Sequence, residues 1–369
     1  MRVMGTVLAL AVSLLAASAL GVRTGWWPGW AEAAKRYLGA AAEPLEELGR
    51  DPANPYRWCG AAEVLADAGQ TDKSLYCSKV AEELGPHAPA VLMRVANYHL
   101  ASGDMREALR RTSRVLGLAG DYDAIIFHYY RRFEVPVEAA LETGLPAEER
   151  AWRAYFEDLL RWAKVEQAEL AWGVIIRNSF NNDALAIKFL EYLISSRAYD
   201  KAVAVWAGQL GERRGDYPGR NLLYNGGFEQ EFTGARLDWR VRTAAGVEVR
   251  RDQEVRREGA ASLRIGFGGE ENLDYRHVEQ LTVAPPGSYL FRAWVRTEGL
   301  TTDQGVYFQI GGTRTEALTG TNDWTPLEAR FRAEGGTVAV RLCRDASRKI
   351  DSRLRGTVWI DTARIERVR

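Results

Sequence analysis

The sequence predicts two domains of different class behind an apolar N-terminal segment: a helical half, then an antiparallel β-sandwich. Three observations predict this. Residues 3 to 22 carry no charge, apolar residues then recur at helical spacing as far as Pro218-Gly219, and from Asn221 onward they alternate between glycine-rich turns. At 369 residues and 46% apolar content the chain can build two full cores. The expected organisation is 1–30 as a transmembrane anchor or uncleaved signal, 31–216 as the helical domain and 221–369 as the sandwich.

The apolar segment Val3 through Val22, twenty residues at about 1.5 Å each, gives a helix of about 30 Å, enough to span a bilayer core. Ala17-Ser18-Ala19 has the small-x-small form of a signal-peptidase site, and on that reading the segment is removed. Trp26-Trp27-Pro28-Gly29-Trp30 follows directly, and indole rings favour the headgroup interface, so a retained anchor is the preferred reading. It places the chain in the inner membrane through a single N-terminal span, with both domains periplasmic. Lys+Arg and Asp+Glu balance at 49 each, which removes any bulk electrostatic case for nucleic acid. The short basic runs Arg110-Arg111 and Arg250-Arg251 read as solvated faces.

In the helical half Gly69 and Gly103 lie 34 residues apart in similar surroundings, Leu65-Ala66-Asp67-Ala68-Gly69 and Leu100-Ala101-Ser102-Gly103. Pro86 closes the first unit, which runs from Pro55 to Ala88, and the next runs from Pro89 to Tyr122. Ala168 and Ala202 repeat the spacing at the start of two further helices, where small side chains let paired helices approach. Asp123 to Glu149, interrupted by Pro136 and Pro146, reads as a degenerate unit. Trp152, Trp162, Trp172 and Trp206 read as packing between stacked helices. This helix-turn-helix period resembles the tetratricopeptide repeat, a solenoid that binds peptides or partner domains along a concave face. The resemblance implies a protein partner on the repeats. In the repeat register Cys59 and Cys77 fall on facing levels of two antiparallel helices. They form either a disulfide worth about 3 kcal/mol or two buried thiols acting as small apolar residues. Cys343 has no obvious partner, and without a C-x-x-C pair a structural zinc or thioredoxin-like role is disfavoured.

In the last third, Tyr289-Leu290-Phe291-Arg292-Ala293-Trp294-Val295-Arg296 and Val338-Ala339-Val340-Arg341-Leu342 alternate cleanly. Leu263–Phe267, Val306–Ile310, Leu327–Phe331 and Val358–Ile360 add further short strands, for which two packed sheets are the natural solution. The order of motifs is distinctive: Asn225-Gly226-Gly227-Phe228-Glu229, Gly259-Ala260-Ala261-Ser262-Leu263, Pro286-Gly287-Ser288-Tyr289, an aromatic strand near Trp324, and Trp359-Ile360-Asp361. It resembles the jelly-roll, galactose-binding-like carbohydrate-binding modules appended to polysaccharide-active enzymes. That resemblance implies a first strand at 221–229 and a structural calcium held by Glu229 and Asp361 with backbone carbonyls. It also assigns Trp239 and Trp324 to the core.

Three polar-aromatic segments exceed what a bare sandwich needs: Asn272-Leu273-Asp274-Tyr275-Arg276-His277, Thr301-Thr302-Asp303-Gln304-Gly305, and Arg344 with Ser347-Arg348-Lys349. They resemble the end domain of bacterial tetratricopeptide proteins that accompany O-antigen ligase and exopolysaccharide genes. If they converge, Asp274, Tyr275, His277, Asp303 and Gln304 line a pocket for a polar glycan; the other reading is that these loops only brace one another. No GxSxG elbow, HExxH, phosphate loop or dinucleotide fingerprint occurs, and the four histidines are scattered, so the expectation is a protein that is not an enzyme. The expected function is an envelope protein that binds a polysaccharide or oligosaccharide through its sandwich and a protein through its repeats, in O-antigen or exopolysaccharide assembly or export. The alternative is a structural scaffold whose sandwich binds no sugar.

Overall fold

The computed structural model describes residues 42–350 and 352–368, so the expected membrane segment lies outside the described residues. Among the described residues no helix is long and apolar enough to cross a membrane. Contacts divide the chain into two compact units, one ending at Phe180 and the other beginning at Asn181.

The first unit is helical: α1 (Ala42–Arg50), α2 (Pro55–Asp67), α3 (Thr71–Leu84), α4 (Pro89–Ala101), α5 (Met105–Leu118), α6 (Asp123–Arg132), α7 (Glu149–Leu159) and α8 (Val165–Arg177). The spacing of 34 recurs in the helix starts, Pro55 with Pro89 and Thr71 with Met105. Proline suits a first helical turn because its missing N–H would have had no partner there. Asn54 accepts from the Tyr56 N–H at 3.0 Å, and Asp104 from the Glu107 N–H at 3.2 Å, so two of these starts are capped by side chains. Gly69 and Gly103, at φ +71° and +80°, make the left-handed turn that ends α2 and α4.

Small buried residues, Ala61, Ala62, Ala81 and Ala96, bring the helices together, and the Ser74 hydroxyl ties α3 to α2 by donating to the Ala62 carbonyl at 2.6 Å. Cys59 and Cys77 sit in this same apolar cluster as free thiols, the second of the two readings left open by the sequence. Burial raises the pKa of both, that of Cys77 to about 12, and they pack as neutral apolar side chains. In the segment expected as degenerate, Val137–Ala139 passes into a π turn over Ala140–Gly144, held where the Tyr130 hydroxyl donates to the Gly144 carbonyl at 2.8 Å. Trp152 and Trp172 are buried as expected. Trp162 is not: it is 42% exposed, its Nε1 donating to Asp158 at 3.0 Å.

The second unit opens with α9 (Asp183–Ser195) and α10 (Tyr199–Leu210). The period changes at Pro218, but this helix pair counts with the strands because its apolar face closes on them. Trp206 is fully buried edge-on to Tyr224 at 6.1 Å, Tyr217 meets Tyr224 at 6.0 Å, and Arg236 pairs with Glu191 at 2.7 Å.

Ten strands follow: β1 (Arg240–Val241), β2 (Val247–Asp252), β3 (Ser262–Gly268), β4 (Tyr275–Val283), β5 (Gly287–Leu300), β6 (Tyr307–Ile310), β7 (Thr313–Arg314), β8 (Gly320–Ala333), β9 (Thr337–Arg344) and β10 (Arg355–Arg367). They form two antiparallel sheets of five, ordered β1-β4-β9-β6-β7 and β2-β3-β10-β5-β8. Between them lies one core that includes Ile265, Phe267, Trp239, Phe291, Phe308, Leu342 and Ile360. The alternation read from the sequence is the pleat: one face of each strand enters this core and the other looks outward. Residues 221–229 are not the strand expected. They run beside β10 through Leu222 N–H to Ile365 O and Ala363 N–H to Gly226 O, but Asn225 and Phe228 at φ +53° and +58° break the ladder.

Two glycine substitutions separate backbone strain from propensity. Gly69→Ala forces a side chain into left-handed backbone and is expected to cost about 1 kcal/mol. Gly208→Ala, inside α10 with nothing within 4 Å of the new methyl, is expected to add about 0.5–1 kcal/mol. Thermal melting of the full chain checks both, and shifts of the same sign would contradict the helix geometry.

Candidate functional site

The three loop segments do converge, on Arg344 at the end of β9. This side chain is 0% exposed, and Nη1 donates to Asn272 Oδ1 at 2.9 Å and to the Leu273 carbonyl. Nη2 donates to Thr302 Oγ1 at 3.0 Å and to the Ser352 carbonyl. Burial lowers its pKa, while the fields of Asp303, Asp274 and Asp345 work in the other direction. Around it, Asn272 Nδ2 donates to the Ser347 carbonyl and the Ser347 N–H returns to Asn272 Oδ1, each at 2.8 Å.

The predicted ligand residues separate here. Asp303 accepts from the Ser347 hydroxyl at 2.6 Å, which holds its carboxyl below the usual range, and from Gln304 at 3.2 Å. Lys349 lies 3.5 Å from the same carboxylate. Asp274 is exposed and pairs with Arg276 at 2.8 Å. Tyr275 is a correction: it is fully buried in the core, edge-on to Phe267 and 5.4 Å from it, because a bulge between Tyr275 and Val278 turns both inward. His277 packs beside it with the rings 5.1 Å apart. The Tyr275 hydroxyl has no hydrogen-bond partner among the described residues, and burial raises its pKa. These polar groups mostly satisfy one another, and the arrangement is a brace with Asp274, Asp303 and Gln304 on its rim.

Beside the brace lies a polar surface that sequence reasoning missed, the outer face of the β4 sheet. Glu279 on β4 is held between Arg242, at 2.5 Å, and Arg341 on β9, at 2.8 Å. Burial acts to raise its pKa, but the two guanidiniums outweigh it and keep the carboxyl below its usual range. Arg276 reaches Asp345 at 2.5 Å, and the Tyr307 hydroxyl donates to the same carboxylate at 2.9 Å. The Tyr307 ring lies under two guanidiniums, Arg276 at 5.9 Å and Arg314 at 5.7 Å. The face is therefore a set of charged and hydroxyl groups fixed in place by their own pairing. The available sequence signal was the outward set of each strand, Arg341 between Val340 and Leu342 and Tyr307 between Val306 and Phe308.

The other sheet carries a groove of about 530 Å³ across β2, β3 and β10, floored by Gly266 and Gly268 and walled by Glu248, Arg264 and Arg355. On the same face, Trp359 pairs with Arg264 across β3 and donates to Asp252 at 2.9 Å, while Trp239 is in the core as expected. Trp324 is only half-buried.

Glu229 and Asp361, the predicted calcium ligands, both lie beside Gly227. A Cβ placed on Gly227 would lie 3.6 Å from Glu229 Oε1 and 3.9 Å from Asp361 Oδ1. Asp361 Oδ2 accepts from the Arg257 and Glu258 N–H groups at 2.8 and 3.0 Å, and both Glu229 oxygens accept from the Ala260 N–H at 3.0 Å. Gly259 stands at φ +66°, which favours glycine, and a Cβ there would displace the Glu229 carboxylate from the Ala260 N–H. Burial raises the Asp361 pKa, a cost a cation would offset. Two carboxylates fit part of a calcium shell, with carbonyls and water left to complete it. Among the described residues no cluster of three or more His, Cys, Asp or Glu side chains could hold a metal.

No protein-family model matches the chain, and no curated protein matches it. Solved carbohydrate-binding modules are similar in fold. The CBM22-1 xylan-binding domain of Paenibacillus barcinonensis Xyn10C aligns at 18% identity and a TM-score of 0.29, over 39% of this chain and 92% of that one. TmCBM61, solved with β-1,4-galactotriose, aligns at 22% identity and a TM-score of 0.29, over 41% of this chain and all of that one. A CBM 22 xylan-binding domain aligns at 15% identity and a TM-score of 0.28, over 41% and 97%. At such scores the description of the sandwich rests on its own two sheets.

Because the Tyr275 hydroxyl is buried without a partner, Tyr275→Phe is expected to keep or raise the melting temperature, by up to about 1 kcal/mol of stability. A fall of the melting temperature by several degrees would show instead that the hydroxyl has a partner in the folded chain.

Proposed function

We propose that this is a non-catalytic, membrane-tethered envelope protein whose sandwich binds a glycan on the outer face of the β4 sheet. Its helical repeats would hold a protein partner, in the assembly or export of an O-antigen or exopolysaccharide. The observation that carries this reading is the fixed polar face, Glu279 between Arg242 and Arg341 and Tyr307 under Arg276 and Arg314. Sugar hydroxyls both donate and accept, and such a face offers both kinds of group in positions already set, so little side-chain entropy is lost on binding. On the helical unit a cavity of about 400 Å³, lined by Glu63, Asp67, Arg94, Asn97 and Tyr98 among others, is the corresponding place for a partner segment. Anchoring through residues 3–22 and a periplasmic location complete the proposal, and both rest on the sequence.

A second reading, a scaffold whose sandwich docks on another envelope protein, is favoured by the mutual satisfaction of the loops around Arg344. Retention of the folded full chain on purified cell-surface polysaccharide separates the two. Binding is expected, weakened about tenfold in Arg341→Ala by loss of a charge-assisted donor. A folded chain that no glycan retains would leave the scaffold.

Calcium at Glu229 and Asp361 is part of the same proposal, as a structural ligand that closes the 257–260 loop. Calcium at about 100 times its Kd would add about 2.7 kcal/mol. For a domain of this size that raises the melting temperature by about 5–10 °C, and an unchanged melt after chelation would show that the loop amides alone hold the two carboxylates.

A further inference from the structure

Five residues on neighbouring strands of the β4 sheet form one straight row. Arg314 on β7 is opposite Gln309 on β6, Gln309 is opposite Arg341 on β9, Arg341 is opposite Glu279 on β4, and Glu279 is opposite Arg240 on β1. Directly paired residues share a face, and Glu279 and Arg341 lie on the side away from the core, since Val278, Val340 and Leu342 fill it. The row therefore crosses the outer face at right angles to the strands, with an arginine on every second one. Strands lie about 4.8 Å apart, so the arginines recur about every 10 Å.

Their donors are largely unused. Arg341 is 45% exposed, and of its nitrogens only Nε is engaged, by Glu279, so Nη1 and Nη2 point to no partner among the described residues. Arg314 and Arg240 are exposed and have no carboxylate within ion-pair distance among the described residues, and Arg314 rests over the Tyr307 ring. The nearby carboxylates are already taken: Glu279 by Arg242 and Arg341, Asp345 by Arg276 and Tyr307, Asp274 by Arg276. The face thus carries Arg240, Arg242, Arg276, Arg314 and Arg341 against three carboxylates, in a chain whose formal net charge is zero. A guanidinium fork is shaped for a carboxylate, and a repeat of about 10 Å is about the length of a disaccharide.

From this row we infer that the ligand is an acidic polysaccharide with one carboxylate per disaccharide, lying across the strands so that successive uronate groups meet Arg240, Arg341 and Arg314. Gln309 and Glu279, between the arginines, face the hydroxyls of the intervening sugars. The inference rests on the glycan-binding reading above and adds the charge and repeat of the polymer.

The test uses the full chain and a hyaluronan oligosaccharide long enough to span the sheet, in which glucuronate alternates with N-acetylglucosamine. The comparison probe is the same oligosaccharide with its carboxyl groups reduced to alcohols. Binding is expected to weaken about tenfold or more on carboxyl reduction, and to fall steeply as ionic strength rises to about 0.5 M. Arg341→Ala and, as a second variant on an edge strand without ion pairs, Arg314→Ala are each expected to lose affinity with unchanged melting. Arg341→Lys should recover only part, because it restores charge without the fork. Arg264→Ala, in the groove of the other sheet, should bind as the parent does. Equal, salt-insensitive binding of the reduced oligosaccharide would overturn the acidic class and leave glycan binding intact. Equally tight binding of a single-stranded oligonucleotide would also overturn it, by showing a face for anionic polymers in general. If neither probe nor any neutral glycan binds the folded chain, the glycan reading itself fails.

Discussion

A guanidinium buried without a carboxylate holds the loop end of the sandwich together. Arg344 is fully enclosed, and its partners are an amide, a hydroxyl and two main-chain carbonyls. Removing a charge from water is expensive, so each acceptor has to be in place before the side chain can be buried. That requirement fixes three segments at once, 272–273, 302 and 352, which lie far apart in sequence. It also fixes the neighbours on either side. The Arg344 carbonyl accepts from Arg276 at 3.0 Å, and Arg276 in turn fixes Asp345 and approaches Tyr307. The brace inside the sandwich and the polar face outside it are thus two sides of one hydrogen-bonded system.

The same economy governs the middle of β10, where the register shifts after Asp361. Asp361 is buried and would be costly as a bare charge, yet the amides of 257 and 258 point at it, and the amide of 260 points at Glu229. The two carboxylates shape the loop before β3, and a side chain at Gly259 would push the Glu229 carboxylate out of its place. Below the sandwich, aromatic packing replaces charge: Trp206, Tyr217 and Tyr224 join the last helix pair to the strands through ring contacts.

Much of the fold was legible in local pattern. The strands around Leu263, Phe291, Phe308, Val340 and Ile360 alternate because one side of each enters the core, and the structure has a strand at each. The helix starts at Pro55 and Pro89 and the turns at Gly69 and Gly103 were legible for the same reason, since proline and glycine report backbone directly. What failed was what depends on distant partners. Tyr275 read as a loop aromatic, but a bulge facing β9 turns it inward. Residues 221–229 read as a strand, but positive φ values break their pairing with β10. Between the two readings open for Cys59 and Cys77, packing in one cluster as free thiols was likewise visible only in the tertiary structure.

By itself the sequence determined the helix starts at Pro55 and Pro89 and the apolar side of the strands around Leu263, Phe291, Phe308, Val340 and Ile360, because those properties follow from spacing along the chain. Only the tertiary structure decided the strand order β7-β6-β9-β4-β1, and with it the row Arg314, Gln309, Arg341, Glu279 and Arg240. The physical reason is that alternation sets the face on which a side chain lies but carries no information about which strand lies alongside. The neighbours are chosen by the core that both sheets share and by loops whose buried polar groups mostly satisfy one another.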